Sequence, residues 1–235
     1  MQARMVKPCW TEPTPQIPLR IIVEGLIGAG KTELSRQLST YLTYALLEEP
    51  VETNPFLQLF YNDPKRWGFS MQVNMLTIRL AMEKAGTYMV NAGLVPGIVS
   101  DRSLGGDTVF LEVNHQLGNI CEQERQLYLN LFETMKITCP YPDVLLFLDV
   151  PLDVLRQRIQ ARGRSFEQPL CDPGNHYLEL LSGAYDRFCG ALKRHTVVMV
   201  LDWTTFKPIE QVWQQILSEW DQQQKSRFNK VLMRW

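Results

Sequence analysis

Short, almost wholly apolar runs alternate along the chain with longer segments in which apolar residues recur every third or fourth position. The runs are LRIIVEG (19–25), YALLEEP (44–50), GIVSDRS (97–103), VLLFLDV (144–150) and TVVMVLD (196–202). After the first run, Leu34, Leu38, Leu42 and Ala45 share a helical face, and a second helical stretch spans about 65–92. Leu127, Leu131 and Met135 mark a helix over 123–136, and Ile209, Val212, Trp213, Ile216 and Trp220 a terminal amphipathic one. Strands that are apolar throughout are buried on both faces, and the helical segments between them supply the cover. The pattern predicts an α/β fold with a five-stranded parallel sheet flanked by helices on both faces. Ligands of such sheets sit at the carboxyl ends of the strands. The places to look are therefore just after Gly25, at 48–50 and at 101–103.

Composition narrows the class. At 235 residues the chain fits one domain, and 24 Lys+Arg against 25 Asp+Glu leave a net charge of -1. That balance argues against a chain-wide basic surface for nucleic acid or membrane, and no apolar run reaches the length of a membrane span. Cys9, Cys121, Cys139, Cys171 and Cys189 are scattered, which favours a reduced protein without a disulfide framework or zinc site. The first 18 residues hold four prolines and Glu12 but no hydrophobic signal core. They read as a flexible leader before one domain over 19–235, and the cytoplasm is the expected location ahead of a mitochondrial one.

The first apolar run ends in Gly25, Leu26, Ile27, Gly28, Ala29, Gly30, Lys31 and Thr32, a full match to GxxxxGK[ST] between a strand and a helix. Its glycines let backbone N–H groups curl around phosphate oxygens at a helix N-terminus. Lys31 is expected to reach the β- and γ-phosphates of a nucleoside triphosphate such as ATP, and the Thr32 hydroxyl to bind Mg²⁺. A carboxylate at a second strand end would complete the metal site. Asp101 and Asp149 both qualify, and Asp101, beside Arg102 and Ser103, is preferred because Asp149 before Pro151 reads as a cap or turn residue. Strand periodicity sends Glu48 and Glu49 to opposite faces, and spacing alone leaves a catalytic role for either open. The absence of NKxD disfavours a switch GTPase.

RQRIQARGRSFE carries Arg156, Arg158, Arg162 and Arg164, closed by Glu167. Phosphate loop, EEPVE, DRS and RxxxRGRxxE stand in this order over about 19–202. The ordered set resembles the deoxyribonucleoside kinase family.

That resemblance implies a P-loop kinase fold with an arginine-rich lid, here about 156–170, and transfer of the γ-phosphate of ATP to a deoxynucleoside 5′-hydroxyl. It implies that Glu49, before proline, is the catalytic base, that Arg102 stands near the 5′-oxygen and phosphate, and that Asp101 lies near Mg²⁺. Tyr61, eleven residues before Gln72, would bind the 3′-hydroxyl, Gln72 the base edge, and Glu167 the 3′-hydroxyl from the lid. Arg158, Arg162 and Arg164 would neutralise the transferring phosphoryl group, whereas Arg156 has no family role and reads as solvated. Arg79 and Asp107, seven and six residues after Gln72 and Asp101, match base-reading positions of deoxycytidine, deoxyguanosine and deoxyadenosine kinases. A carboxylate accepts from an exocyclic amine, but thymine would set a carbonyl against it, so thymidine is expected to be a poor substrate. Asn54 stands near where animal members have a tryptophan, and the segment from Glu167 to Tyr177 is about three residues longer than the common pattern. A homodimer through the helices at 65–92 and 123–136 is a further family expectation. A thymidylate-kinase-like enzyme and a non-catalytic nucleotide-binding subunit are the alternative readings.

Overall fold

The structure, a computed structural model, describes residues 17, 19–49, 54–172 and 174–232. The leader expected over 1–18 lies outside these residues except for Ile17, and so do 50–53. In chain order the elements are β1 (Arg20–Gly25), α1 (Lys31–Leu42), β2 (Ala45–Leu47), α2 (Leu57–Asn62), α3 (Pro64–Asn91), β3 (Ile98–Asp101) and α4 (Asp107–Gln116). Then come α5 (Glu122–Lys136), β4 (Val144–Asp149), α6 (Leu152–Arg162), a 3₁₀ segment (Ser165–Cys171), α7 (Tyr177–Leu192), β5 (Val197–Asp202) and α8 (Ile209–Leu232).

All five strands pair in parallel, in the order β2-β3-β1-β4-β5. Central β1 has Ile22 opposite Ser100 on one flank and Leu145 on the other. Every residue of β1 and β3 is buried, as continuous Ile and Val runs require when both faces are covered. Helices α1 and α8 pack together beside β3 and β5, while α4 packs on α7, and α3 on α4 and α5. Around Phe60, Met71 and Met75 a small separate cluster joins α2 to α3. Among the described residues no helix is long and apolar enough to cross a membrane.

Local chemistry sets the element ends. Helix α1 stops at Thr43, whose φ of 56° is left-handed, and Tyr44 N–H returns to the Ser39 carbonyl at 2.9 Å. Ala45, placed on the α1 face by periodicity, therefore begins β2. Asp63 caps α3 by accepting from Arg66 N–H at 3.1 Å, with Pro64 in the first turn where its missing donor costs nothing. Where α3 crosses the sheet only Gly86 fits: a Cβ there would lie 2.6 Å from Leu47 Cδ1 and 2.9 Å from Ile98 Cδ1.

Candidate active site

The carboxyl ends of β1 and β3 lie side by side, with Val23 paired to Asp101. From β1 the chain enters the glycine loop, where Gly28 and Gly30 have φ of 84° and 93°. Glycine adopts this left-handed region without strain, and space forbids more: a Cβ on Gly28 would lie 2.9 Å from Ile159 Cγ1. The loop delivers the N-terminus of α1, which has no side-chain cap, so its backbone donors suit an anion. Lys31 is buried and donates from Nζ to the Leu26 carbonyl at 2.8 Å. Burial, reinforced by the neighbouring Arg102, lowers its pKa to about 7 against the pull of Asp101, Glu24 and Glu49.

One helical position on, Thr32 donates from Oγ1 to Asp101 Oδ2 at 2.5 Å. Asp101 Oδ1 is buried without a hydrogen-bond partner, and burial pushes the carboxyl above its usual range. Asp149, the other sequence candidate, is exposed, and its contribution is a backbone carbonyl accepting from Trp203 N–H at 2.8 Å. Only Asp101 meets Thr32.

Past the end of β2 the two glutamates take different arginine partners. Glu48 turns to Arg36 of α1, accepting from Nε at 3.0 Å. Glu49 turns to Arg79 Nη2 at 2.5 Å and Arg102 Nε at 3.2 Å, with its side chain 12% exposed. Burial opposes its charge, but Arg79, Arg102 and Lys31 prevail and hold its pKa below the usual value. Arg79 pairs on its other side with Asp107, whose second oxygen accepts from the Tyr128 hydroxyl. Gln72 donates from Nε2 to the Asp107 carbonyl at 3.1 Å. A carbonyl only accepts, so this contact fixes the amide and leaves Oε1 as the free acceptor.

These groups surround one cavity of about 680 Å³. Of the residues singled out in the sequence, Ile27, Gly28, Lys31, Thr32, Glu48, Glu49, Asn54, Tyr61, Gln72, Arg79, Asp101, Arg102, Asp107, Arg162, Arg164 and Glu167 all line it. Gly25, Leu26, Ala29, Gly30 and Arg158 are not in its wall.

The sequence pattern of the family described as deoxynucleoside kinase matches residues 21–224. The chain belongs to the deoxynucleoside kinase family. Deoxyadenosine kinase of Dictyostelium discoideum is 32% identical over 201 residues, covering 86% of this chain and 79% of its own. Deoxyguanosine kinase of the same organism is 36% identical over 200 residues, covering 83% and 68%. Among solved structures, a deoxyadenosine kinase from M. mycoides with bound dCTP superposes with a TM-score of 0.72 at 30% identity, covering 84% of this chain and 98% of that one. The protein is thus an enzyme, a kinase of deoxynucleosides.

In this deoxynucleoside kinase the arginine segment forms α6 and the turn beyond it. Gly163 ends α6 with a φ of 71°, and the chain folds back so that buried Glu167 pairs with both Arg162 and Arg164. Phe166 lies 5.2 Å from Tyr61, ring to ring, which ties the lid to α2. Arg158 is placed differently from the expectation. It donates to the Ala29 carbonyl at 3.2 Å and to those of Trp203 and Thr204 at 2.9 Å each. It holds the phosphate loop from outside instead of facing the cavity, because α6 packs behind Gly28. Arg156 is corrected too: it is not merely solvated but pairs with Glu179 of α7 at 2.5 Å. Sequence reasoning did not single out Glu24, Tyr128, Tyr185 or Phe206. Glu24 carried a signal, a charge inside an apolar strand; the aromatics look like ordinary core or surface residues.

Proposed function

We propose that this kinase transfers the γ-phosphate of ATP to the 5′-hydroxyl of deoxyadenosine, deoxyguanosine or deoxycytidine in preference to thymidine, with Glu49 as general base. The observation that carries the reading is the position of Glu49. A nearly buried carboxylate, paired with two arginines, lines the same cavity as the phosphate loop, Tyr61 and Gln72. Its lowered pKa keeps it ionised at neutral pH, ready to take the hydroxyl proton as the 5′-oxygen bonds to the γ-phosphorus and ADP leaves. Phosphoryl transfer otherwise rests on positioning and charge neutralisation. Arg102, Arg162, Arg164 and Lys31 bring that charge to the cavity, and a phosphate beside Lys31 restores its proton.

Thr32 and Asp101 fit Mg²⁺. This ion takes few protein ligands, with one or two carboxylates and substrate phosphates around retained waters, and Asp101 Oδ1 is a buried oxygen with no other partner. When bound, the ion offsets charge on the phosphate oxygens. The exposed Phe206 ring, 4.8 Å beneath the Arg158 guanidinium and next to Gly30, offers a flat face for the donor base.

Base choice follows from acceptors. Gln72 Oε1 and the Asp107 carboxylate suit an exocyclic amine, and the thymine carbonyl would meet them with no proton between. A relative named for deoxyadenosine supports this preference, and guanine offers the same acceptors an amine only through its 2-amino group. Leu127 of α5 is half exposed despite its place in an apolar stripe, which supports a homodimer through α3 and α5. The test is to supply Mg-ATP with deoxyadenosine, deoxyguanosine, deoxycytidine, thymidine or thymidine monophosphate and quantify product. Turnover of one or more of the first three, with thymidine weak, is expected. Product from thymidine monophosphate alone would replace the acceptor, and no product despite ATP binding would leave a nucleotide-binding subunit.

A further inference from the structure

Strand β1 is apolar but for its ends and one carboxylate. Glu24, immediately before the phosphate loop, is fully buried, and the roles assigned above do not use it. A carboxylate so placed needs partners for both oxygens. Oε1 accepts from the Ser103 backbone N–H at 2.8 Å and from its hydroxyl at 2.7 Å. Oε2 accepts from the Tyr185 hydroxyl at 2.9 Å and lies 3.6 Å from Arg102 Nη1. Tyr185, fully buried on α7, accepts in turn from Arg102 Nη1 at 2.7 Å.

The donors therefore run one way, Arg102 to Tyr185 to Glu24. Arginine cannot accept, and the tyrosine proton is committed to the carboxylate. At its other edge Arg102 meets Glu49 through Nε. Arg102 also has a φ of 73°, a region that residues with side chains avoid and keep only where their surroundings impose it. Here Arg102 N–H binds the Val23 carbonyl at 3.0 Å, and Glu24 grips the next residue twice. Burial opposes the guanidinium charge, yet Tyr185, Glu49, Glu24 and Asp101 outweigh it and raise its pKa above the ordinary value. The same acid seats α4. Gly106 N–H donates to Ser103 Oγ at 2.7 Å, and a Cβ on Gly106 would run into Glu24 Oε1.

We infer that Glu24 and Tyr185 are positioning residues for phosphoryl transfer, fixing the Arg102 guanidinium beside Glu49 without touching either substrate. The inference rests on the proposed role of Arg102 at the 5′-oxygen and phosphate. A purely structural role for this buried cluster would lower stability without a specific loss of rate. A positioning role lowers kcat while leaving substrate binding intact, and the loss disappears once Arg102 is gone.

Tyr185→Phe is the decisive variant, because it removes one hydroxyl and keeps a ring packed on Phe147 and Phe188. Steady-state rates with Mg-ATP and the best deoxynucleoside would be compared for wild type, Tyr185→Phe, Arg102→Lys and the double variant, each below its unfolding temperature. Tyr185→Phe is expected to lower kcat about tenfold with both KM values within about twofold, the scale of one hydrogen bond to a charged group. Arg102→Lys is expected to lose more, and the double variant no more than Arg102→Lys alone. Glu24→Gln, which sets an amide donor against the Tyr185 hydroxyl, should follow Tyr185→Phe. A Tyr185→Phe enzyme as fast as wild type, or losses that multiply in the double variant, would overturn the inference. An Arg102→Lys enzyme with unchanged kcat would overturn the role of Arg102 itself.

Discussion

Glu49→Gln changes one oxygen for an amide where two arginines converge. The carboxylate now accepts from Arg79 Nη2 at 2.5 Å and Arg102 Nε at 3.2 Å. A glutamine of the same shape offers its carbonyl to one arginine and sets an NH2 against the other. A hydrogen bond to a charged group contributes about 1.5–3 kcal/mol, and removing one partner of a buried pair costs about 3–5 kcal/mol. Arg79 keeps Asp107 and Arg102 keeps Tyr185, so the lower end applies, about 2–3 kcal/mol of stability. The loss of rate is separate and larger in kind. Without a general base kcat should fall by about 10²–10⁴-fold, equivalent to about 3–5 kcal/mol of barrier. Urea unfolding measures the first quantity. A coupled assay of ADP release, run where the variant is folded, measures the second, and a fluorescent ATP analogue tracks donor affinity. A folded variant with wild-type kcat would remove Glu49 as the base; unchanged kcat with ATP binding lost would make it part of the donor site.

Two further predictions concern the loop and the core. Lys31, held at a pKa of about 7, should take up a proton when a triphosphate settles beside it at pH 8, so calorimetric heats should differ between buffers of unlike ionisation enthalpy. Equal heats would refute this. Between pH 7 and its ordinary value the unfolded chain holds a proton that folded Lys31 has lost, so this residue makes the nucleotide-free protein more stable as pH rises through that window. Gly86→Ala should destabilise by about 1–2 kcal/mol despite the better helix propensity of alanine, because its methyl meets Leu47 and Ile98. A raised melting temperature would show that α3 sits less tightly on the sheet.

The sheet was legible because burial on both faces leaves strands with no polar alternation to disguise them, and the phosphate loop because its glycines are forced by backbone geometry. Helices α4 and α7 were not, since their buried faces mix apolar residues with Asp107, Asn114 and Tyr185, which blurs the hydrophobic period. Short α2 offers barely two turns to read. Spacing separated Glu48 from Glu49, and their arginine partners do differ, but both line the cavity, and the choice of Glu49 came from the family resemblance. That resemblance also grouped Arg158 with Arg162 and Arg164 at the phosphoryl group, yet how α6 seats against the loop keeps Arg158 out of the cavity wall that the other two join. Partners distant in sequence escaped altogether. Arg156 finds Glu179 23 residues on, and Glu24 finds Ser103 and Tyr185 at separations of 79 and 161.

The Arg158 contacts bear on how the enzyme spends conformational freedom. One guanidinium bridges carbonyls of two loops that leave different strands, the phosphate loop and the segment after β5. Their mutual arrangement is settled when the chain folds, so a donor nucleotide meets a surface that needs little further ordering. The lid differs, for Arg162 and Arg164 each have Glu167 as an internal counterion that a phosphate or sugar must displace. Donor binding should therefore carry a small entropy cost, and the larger reorganisation should fall on the step in which both substrates are enclosed.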